Sequence, residues 1–432
     1  MTNEATSTVM TEVACPMCGH ACDDLSVDTA GASLAVVAKG CERARSSFAR
    51  LSTVGDSALP RIDGKPVSLD AACAEAARVL GAATLPVFGG MALDVGGARA
   101  AMELADQAGG VIDHMNNEFG WRASRVVQDG GGINTTLAEV RNRADLILLV
   151  GTDAVSAQPR FFERCVWVGE TMFDLAPASR RIVYLGGGLD TAPGVSPDGR
   201  QPDVFEFDLM RMPEALSVLN ALMAKQPVTG EAPLGIALAR WQELVDALFA
   251  AKYSVVVWAG PAFDAAQLDL NVGAVVSLVR KLNVTTRCNS LPLAGNDGDL
   301  SMGAVHTWQT GYPMRTSYAS GAPKFDPVHN GITRLLQTGE ADALVWLNSL
   351  ADHVAPPACG VPTVVIAPPS QKLDGEPHVF IPVATPGIHH SGHFVRTDKV
   401  VTLPLRALRA TSLPAAETVA MSIAAKLREV RT

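Results

Sequence analysis

Apolar residues along the chain follow two different spacings, which predict two kinds of element. Residues 68–80 carry apolar side chains three and four positions apart, Ser68 suits the cap before a helix, and Asp70 suits its first turn. This pattern predicts an amphipathic helix whose buried face consists of Ala72, Cys73, Ala76, Ala77 and Leu80. Residues 144–151, ADLILLVG, form instead a continuous apolar run, which is typical of a strand buried on both faces.

The two patterns alternate through most of the chain. Similar apolar runs predict strands within 84–90, 180–188, 253–260, 341–348 and 362–369. Helical spacing returns at 97–110, 213–225, 238–252 and 270–282. Continuous apolar strands that alternate with helices predict parallel sheets covered on both faces, so we expect an α/β fold with two doubly wound domains. Residues 377–405 lack helical spacing and are rich in Val, Pro and Gly, which predicts short strands and turns.

The order of these elements predicts four parts of the chain. The predicted bounds are 1–58 for a small N-terminal four-cysteine metal-binding domain, 59–141 with 252–370 for a discontinuous α/β domain, 142–251 for an inserted α/β domain, and 371–432 for a C-terminal strand-and-turn segment with a final helix.

Composition and charge narrow the class of protein. The chain has 48% hydrophobic and 18% charged residues, as an ordinary globular protein has, and its net charge of −9 argues against nucleic acid as a partner. The first 14 residues lack the basic start and apolar stretch of a secretory signal, and no run resembles a membrane span. We therefore expect a cytoplasmic protein.

Cysteines concentrate near the N-terminus, where CPMCGHACDDL contains Cys15, Cys18 and Cys22, and 18 residues separate Cys22 from Cys41. Thiolates are soft ligands, and four of them suit either zinc or an iron–sulfur cluster. The alternative is a set of reduced, partly buried thiols. His20 lies between these cysteines and could replace one thiolate, although a surface position is the simpler interpretation.

The remaining cysteines and other motifs predict little chemistry. Cys73, Cys165, Cys288 and Cys359 lie in apolar or turn contexts and are expected to be small hydrophobic residues. The sequence contains neither a dinucleotide fingerprint, nor a P-loop, nor a nucleophile elbow. His389, His390 and His393 lie near glycines that disfavour a helix, so we expect a turn at an intersubunit contact rather than a metal site.

Residues 308–327, WQTGYPMRTSYASGAPKFDP, concentrate aromatic residues in a chain that has only 5% of them. We expect this segment where a strand meets a loop, since α/β proteins bind ligands at the carboxyl ends of parallel strands. The residues concerned are Trp308, Gln309, Tyr312, Arg315 and Tyr318. Packing at a domain junction would explain the aromatic residues equally well.

Four blocks of sequence together resemble the B subunits of formylmethanofuran dehydrogenases, which have a molybdopterin-oxidoreductase-like fold. The blocks are 15–25 with Cys41, 135–164, 308–327 and 392–408. The resemblance implies that Cys15, Cys18, Cys22 and Cys41 match the ligands of a [4Fe–4S] cluster. In that family the cluster relays electrons from a tungsten or molybdenum pterin, which one cysteine or selenocysteine ligates.

The chain departs from this family where that pterin ligand is expected. Residues 111–134 contain no cysteine, and Phe119 falls near the expected position. A phenyl ring cannot donate to a metal, so redox activity is expected to be lost and no molybdopterin or tungstopterin is expected. With this departure the chain resembles the B subunits of the bacterial formyltransferase/hydrolase complexes of methylotrophs.

The resemblance implies a role in one-carbon metabolism and formaldehyde oxidation. Such a complex transfers formyl from formyl-tetrahydromethanopterin to methylofuran and hydrolyses it to formate, and other subunits perform both reactions. The chain would be a non-catalytic scaffold that assembles with the A, C and D subunits. One alternative is a redox-active tungsten or molybdenum pterin component of formylmethanofuran dehydrogenase, and another is a stand-alone binding protein with a zinc knuckle.

Two ligand expectations follow from the resemblance. Zinc is favoured over [4Fe–4S] at the four cysteines, because a cluster without a pterin donor has nothing to relay. A second set of residues gives candidate contacts to a vestigial cleft or to a polyglutamate tail of methylofuran, with solvated surface side chains as the alternative. This set is Arg122, Arg125, Gln309, Tyr312, Arg315, Arg396 and Lys399.

Overall fold

The computed structural model describes residues 8–53, 58–173 and 175–431. They form two compact units. The terminal unit combines the described residues up to Asn117 with those from Gly295 onward, and the central unit is Glu118–Ala294. No helix in the described parts of the chain combines the length and the apolar character that crossing a bilayer requires.

Strands and helices are numbered in chain order. The strands are β1 Val9–Val13, β2 Leu25–Asp28, β3 Ala35–Ala38, β4 Arg61–Ile62, β5 Lys65–Pro66, β6 Pro86–Ala92, β7 Val111–Ile112, β8 Leu146–Val150, β9 Arg181–Leu185, β10 Asp203–Phe205, β11 Ser254–Trp258, β12 Cys288–Pro292, β13 Thr316–Ser317, β14 Lys324–Phe325, β15 Ala343–Asn348, β16 Thr363–Ala367, β17 Val379–Pro382, β18 Gly392–Val395 and β19 Thr402–Leu405. The α-helices are α1 Glu42–Ser52, α2 Leu69–Ala82, α3 Val95–Ala108, α4 Asn117–Gly130, α5 Leu137–Arg143, α6 Met212–Met223, α7 Leu238–Ala250, α8 Leu268–Leu282, α9 Asp299–Thr310, α10 Ile332–Gln337 and α11 Ala416–Arg431.

The central unit is built on a parallel sheet. In residues 118–173 and 175–294, five strands pair in the order β10-β9-β8-β11-β12, and every pairing is parallel. All of β8 and β11 is buried, as their continuous apolar runs predict. Helices α6, α7 and α8 cover one face of this sheet with an apolar core that includes Trp241.

The terminal unit is built on a larger sheet. Among the residues that the structure describes, nine strands pair in the order β14-β13-β7-β6-β15-β16-β17-β4-β5. The strands from β7 to β17 in this order run parallel, and the antiparallel hairpins β13–β14 and β4–β5 flank them. Helices α2, α3 and α11 bury their apolar faces in one core with this sheet. The predicted α/β fold is therefore confirmed.

Helix α2 shows why the local sequence pattern was informative. The Ser68 side chain accepts a hydrogen bond from the Ala71 backbone N–H at 3.1 Å, as a helix cap does. The predicted face is buried, with Ala72, Cys73, Ala76, Ala77 and Leu80 each at most 1% exposed. Helix α3 ends at Gly109, whose φ of 64° lies in the left-handed region that favours glycine.

The bounds of the units differ from those predicted. The sequence placed 252–370 with the discontinuous domain and began the inserted domain at 142, whereas the central unit runs from Glu118 to Ala294. The reason is strand pairing, because β11 pairs with β8 from Ser254↔Leu146 onward and β12 pairs with β11. An apolar strand carries no mark of which sheet it will join, so the sequence pattern missed this pairing.

The two ends of the chain belong to the terminal unit rather than to separate domains. Residues 8–53 form an antiparallel sheet, β1-β2-β3, that packs with α1 around Leu25 and Phe48. Ile388 from the C-terminal part joins the same apolar core. Within predicted segment 371–432, β17 joins the large sheet, and α11 packs on α2 and α3. The predicted short strands and final helix are present, but they do not stand apart.

Candidate functional site

A folded loop carries three of the four N-terminal cysteines, and the fourth follows β3. Cys15 follows β1, Cys18 and Cys22 lie before β2, and Cys41 precedes α1. The loop closes on itself because the Cys15 N–H donates to the Cys22 carbonyl at 2.8 Å. Cys15, Cys18 and Cys22 are each 6% exposed, so this loop places three thiols inside the protein.

Burial and mutual repulsion control the protonation of these thiols. Burial raises the pKa of Cys15 well above its usual value, and the neighbouring Cys18, Cys22 and Cys41 raise it further. Burial also raises the pKa of Cys18. A hydrogen bond from the His20 backbone N–H and the cation of Arg43 lower this pKa in part. Without a metal, Cys15 and Cys18 are therefore neutral thiols at neutral pH.

The cysteines match a metal site in donor type and sequence spacing but not in side-chain arrangement. Four soft thiolates suit zinc or an iron–sulfur cluster. Among the residues that the structure describes, however, no group of three or more His, Cys, Asp or Glu side chains is arranged so that it could hold a metal ion. The four-cysteine metal site and the preference for zinc therefore stay predictions from the sequence.

The histidines near these segments are placed differently from one another. His20, expected on the surface, is 3% exposed. His389 accepts a hydrogen bond from the Thr385 N–H at 3.2 Å, and His390 lies 2.8 Å from the Ser391 carbonyl. His389 and His390 thus lie in a turn, as the glycines predicted, while His393 is exposed on β18.

The cysteine segment is held by three segments of the terminal unit, one after β12, one after β18, and one at the carboxyl end of β15 in the large sheet. Gly295 has a φ of 95°, and a Cβ atom there would lie 2.5 Å from the Gly19 Cα, so this close approach requires glycine. The Thr397 N–H donates to the Gly19 carbonyl at 2.7 Å. Arg43 donates to Asn296 at 3.1 Å, and Arg50 pairs with the buried Asp352. The cysteine segment therefore has a fixed position at this edge of the sheet.

A polar cluster lies at the same edge and consists of His114, Asn116, Asp297, Asp299 and His353. Asn116 donates to the Asp297 carboxylate at 3.0 Å, and His353 lies 3.9 Å from the same carboxylate. His114 Nδ1 accepts from the Asn116 N–H at 3.0 Å, which leaves the proton on Nε2, 3.4 Å from the Asp297 carbonyl. The cluster thus combines two carboxyl groups with a neutral imidazole.

Burial shifts the titration of this cluster. It lowers the pKa of His114 to about 4, so the ring is neutral at physiological pH. Burial and, to a smaller extent, the charge of Asp297 together raise the pKa of Asp299 to about 7. The buried Oδ1 of Asp299 has no hydrogen-bond partner among the described residues. This carboxyl group can therefore take up or release a proton near neutral pH.

A buried ion pair lies beside the cluster. Arg315 donates to Asp113 at 3.1 Å and to the Pro327 carbonyl at 2.6 Å. The Asp113 carboxylate also accepts from Asn117 at 2.6 Å and from the His114 N–H at 3.0 Å. Burial raises the pKa of Asp113 to about 6 despite these donors, so the pair remains ionic at pH 7.

The predicted tail-binding residues do not form one free basic surface. Arg315 is committed to Asp113, and Arg396 pairs with Asp398 at 2.7 Å. Arg122 pairs with Glu118 at 3.1 Å and lies over the Trp121 ring at 4.6 Å. Of the others, Arg125, Gln309, Tyr312 and Lys399 are exposed. Arg122 and Arg125 belong to the central unit and the rest to the terminal unit. Their contact with methylofuran stays a prediction.

The aromatic segment lies only partly where a strand meets a loop, since Arg315 directly precedes β13 and Tyr318 directly follows it. Trp308 and Gln309 end helix α9, and Trp308 is 63% exposed. Tyr312 stacks on Phe325 with ring centroids 6.1 Å apart. Tyr318 is buried, with its hydroxyl 3.3 Å from His306 Nε2. For Trp308 and Gln309 the prediction is wrong, because the helix that begins at Asp299 continues to Thr310.

Phe119 lies in α4 and packs against the apolar core of the central unit, together with Ala123 and Val126. A Cβ atom on Gly260 would lie 3.0 Å from the Phe119 Cβ, so the two backbones are close. This side chain thus contributes to packing in its own unit.

The sequence patterns did not single out His114, Asp113, Asp297 and Asp299. Two signals were available, since Asp113 and His114 directly follow the apolar residues of β7, and GNDGD, residues 295–299, combines glycines with carboxylates. The missed residues are therefore of the kind that the carboxyl ends of parallel strands present.

Comparison with known proteins shows which chains this one resembles. The chain matches none of the protein-family models. It is 28% identical over 381 residues to the B subunit of the formyltransferase/hydrolase complex Fhc of Methylorubrum extorquens, covering 85% of this chain and 96% of that protein. It is 26% identical over 410 residues to the B subunit of the tungsten-containing formylmethanofuran dehydrogenase 2 of Methanocaldococcus jannaschii, covering 91% of this chain and 92% of that protein.

Solved structures give the same result. A chain of the FhcABCD complex of Methylorubrum extorquens, crystallised with methylofuran, superposes with a TM-score of 0.73 and 27% identity, over 86% of this chain and 99% of that one. Acetylene hydratase from Pelobacter acetylenicus shares the fold, with a TM-score of 0.62 and 10% identity, over 98% of this chain and 70% of that one. The resemblance to these B subunits and the molybdopterin-oxidoreductase-like fold are therefore confirmed.

Proposed function

We propose that this homologue of the Fhc and formylmethanofuran dehydrogenase B subunits is the B subunit of a formyltransferase/hydrolase complex. One observation carries the proposal: the likeness to the Fhc B subunit extends over 96% of that protein in sequence and 99% of a chain of the complex in structure. Its partners are then an A, a C and a D subunit, as the name of the similar FhcABCD complex indicates.

The proposed complex moves a formyl group from formyl-tetrahydromethanopterin to methylofuran and hydrolyses it to formate. In this scheme the chain is a scaffold, and its partner subunits hold the groups that react. Methylofuran in the similar complex supports the assignment of this carrier. We assign the complex to cytoplasmic one-carbon metabolism, in the formaldehyde oxidation of a methylotroph.

The residues of this chain support the dehydrogenase alternative less well than the formyltransferase/hydrolase proposal. Similarity to the tungsten-containing enzyme is nearly as high, at 26% identity. Against it stands the segment 111–134, which contains no cysteine to ligate a pterin metal. Phe119, near the expected ligand position, is instead used for packing in the central unit. These observations favour a chain without its own redox centre.

A metal at the four cysteines is part of this proposal. Cys15 and Cys22 pack in the small apolar core of residues 8–53. Because this core contains few apolar residues, a tetrahedral zinc bound there would add to the stability of the segment. Binding would release protons, because Cys15 and Cys18 are neutral when free. The metal is then structural, and turnover does not depend on its redox state.

Reconstitution of the complex tests the proposed role. Formyl transfer from formyl-tetrahydromethanopterin and formate release should require the chain in the assembly, while the chain alone should perform neither reaction. Reduction of a dye by formate or formylmethanofuran tests the alternative directly. Formate-dependent dye reduction by metal-replete preparations would show that the chain is redox-active, and a complex that assembles and turns over without the chain would contradict the scaffold role.

A further inference from the structure

His378 joins two elements of the terminal unit through both nitrogens of its ring. Nδ1 lies 2.8 Å from the Asp63 carboxylate, in the turn of the hairpin β4–β5. Nε2 lies 2.6 Å from the Glu75 carboxylate, on helix α2. The imidazole therefore bridges a hairpin at the edge of the large sheet and a helix of its core.

The chemistry of imidazole fixes the protonation state that this geometry requires. A carboxylate accepts hydrogen bonds, and a neutral imidazole has a single N–H to donate. Only the imidazolium ion can donate to Asp63 and Glu75 at once. In the neutral ring one nitrogen lone pair would face a carboxylate, so both contacts cannot persist.

Charged groups around the ring come from three segments. The hairpin contributes Asp63, and α2 contributes Glu75, which also accepts from Arg78 at 2.5 and 2.8 Å. Next to His378, Glu376 pairs with Arg61 of β4. The hydrogen bonds that Glu75 and Asp63 accept from the ring raise the pKa of His378. Those that Glu75 accepts from Arg78 and His378 lower the pKa of Glu75 to about 2. The ring is 25% exposed, so protons reach it from solvent.

We propose that His378 is a proton-operated latch, which ties the hairpin β4–β5 to helix α2 when protonated and releases it when neutral. The hairpin follows the cysteine segment in the chain and pairs with β17 through two residue pairs, Val379↔Ile62 and Phe380↔Arg61. The Asp63 N–H also donates to the His378 carbonyl at 2.9 Å, so the latch adds a side-chain contact to a short backbone attachment. The device needs no partner protein and is independent of the proposed function.

The pH window follows from the direction of the shifts. A histidine whose folded pKa is raised contributes stability that is present below its ordinary value and lost as pH rises through the folded value. Glu75 stays ionised down to about pH 2. The latch is therefore closed at weakly acidic pH and opens as the pH passes the raised pKa of His378.

Two measurements on the full chain test the latch. Histidine carbon-13 NMR, assigned with His378→Asn, should show His378 titrating above its ordinary pKa of about 6.5. Asp63→Asn and Glu75→Gln should each weaken its proton affinity about two- to five-fold, as expected for partly exposed ion pairs. Hydrogen exchange, corrected for intrinsic rates, should show protection of residues 61–67 falling by a similar factor across the same titration.

Controls keep the test falsifiable. The His329 ring pairs with Asp326 and is 69% exposed, so His329→Asn is the matched variant and should leave residues 61–67 unchanged. If His378→Asn fails to fold, Glu75→Gln retains the histidine and still reports the coupling. Titration of His378 at or below about 6.5, or protection of residues 61–67 that ignores that titration, would overturn the proposal.

Discussion

At the scale of single residues, Arg315 and Asp113 decide how the segment after α9 is held. Their side chains are 10% and 7% exposed, and they lie 202 residues apart in the sequence. Arg315 also holds the Pro327 carbonyl, so one guanidinium fixes the end of β7 and the chain after β14. Its charge is thus used for folding rather than for a free anion site.

Removing this cation should be costly. Arg315→Met leaves Asp113 buried without its cation, and we expect the free energy of unfolding to fall by about 3–5 kcal/mol. Urea unfolding measures the change. Arg125→Met, at an exposed position of α4, is the matched control and should change stability by less than about 0.5 kcal/mol. Equal effects of the two variants would contradict the structural role of Arg315.

Removing the charge of Asp299 is expected to stabilise the protein. Its pKa is raised from 3.8 to about 7, so its contribution to stability is lost as pH rises through about 7. Asp299→Asn cannot ionise and should be more stable than the wild type by about 1–3 kcal/mol near pH 8, with little difference near pH 4.

Denaturant unfolding at both pH values checks this prediction. Asp129→Asn, at an exposed position near the end of α4, controls for general effects of a removed charge. A constant difference between Asp299→Asn and the wild type at all pH values would show that Asp299 keeps an ordinary pKa.

At the scale of elements, helices and strands were predictable where packing is local. Ser68 and the apolar spacing after it specify α2, and the apolar run of 146–150 specifies β8. Strand partners were not predictable. The apolar residues of β11 predict a buried strand, but they do not specify that β8 is its neighbour. The same limit hid the candidate site, since His114 meets Asp297 across 183 residues of sequence.

The cysteine segment is the element whose stability should depend on a bound metal. We expect Cys15→Ser to lower the zinc content of the purified protein and to raise hydrogen exchange in residues 8–53. The loss should be large for so small a core, since structural zinc contributes about 10–16 kcal/mol in small peptides. Formyl transfer by the assembled complex should change much less.

Cys359→Ser provides the control for this experiment, because Cys359 lies apart from the four cysteines and is partly exposed. It should alter neither zinc content nor exchange in residues 8–53. An iron–sulfur signal in the reduced wild-type protein would show that the cysteines bind a cluster rather than zinc. Unchanged hydrogen exchange in residues 8–53 of Cys15→Ser would contradict a structural metal altogether.

At the scale of the whole molecule, the chain has a molybdopterin-oxidoreductase-like fold, shared with acetylene hydratase. The four blocks that carry the family resemblance span most of the chain, and the match to the Fhc B subunit covers nearly all of that protein. Yet segment 111–134 lacks a cysteine, and the cations of Arg122, Arg315 and Arg396 are paired with carboxylates. Together these features fit a scaffold better than a redox-active component.

The most direct test of the proposed scaffold role is native mass spectrometry of the purified assembly combined with elemental analysis. A scaffold role predicts a complex in which the chain is bound to three other kinds of polypeptide, with neither tungsten nor molybdenum in stoichiometric amount. Stoichiometric tungsten or molybdenum, or a chain that remains stable and monodisperse on its own in cell extract, would contradict it.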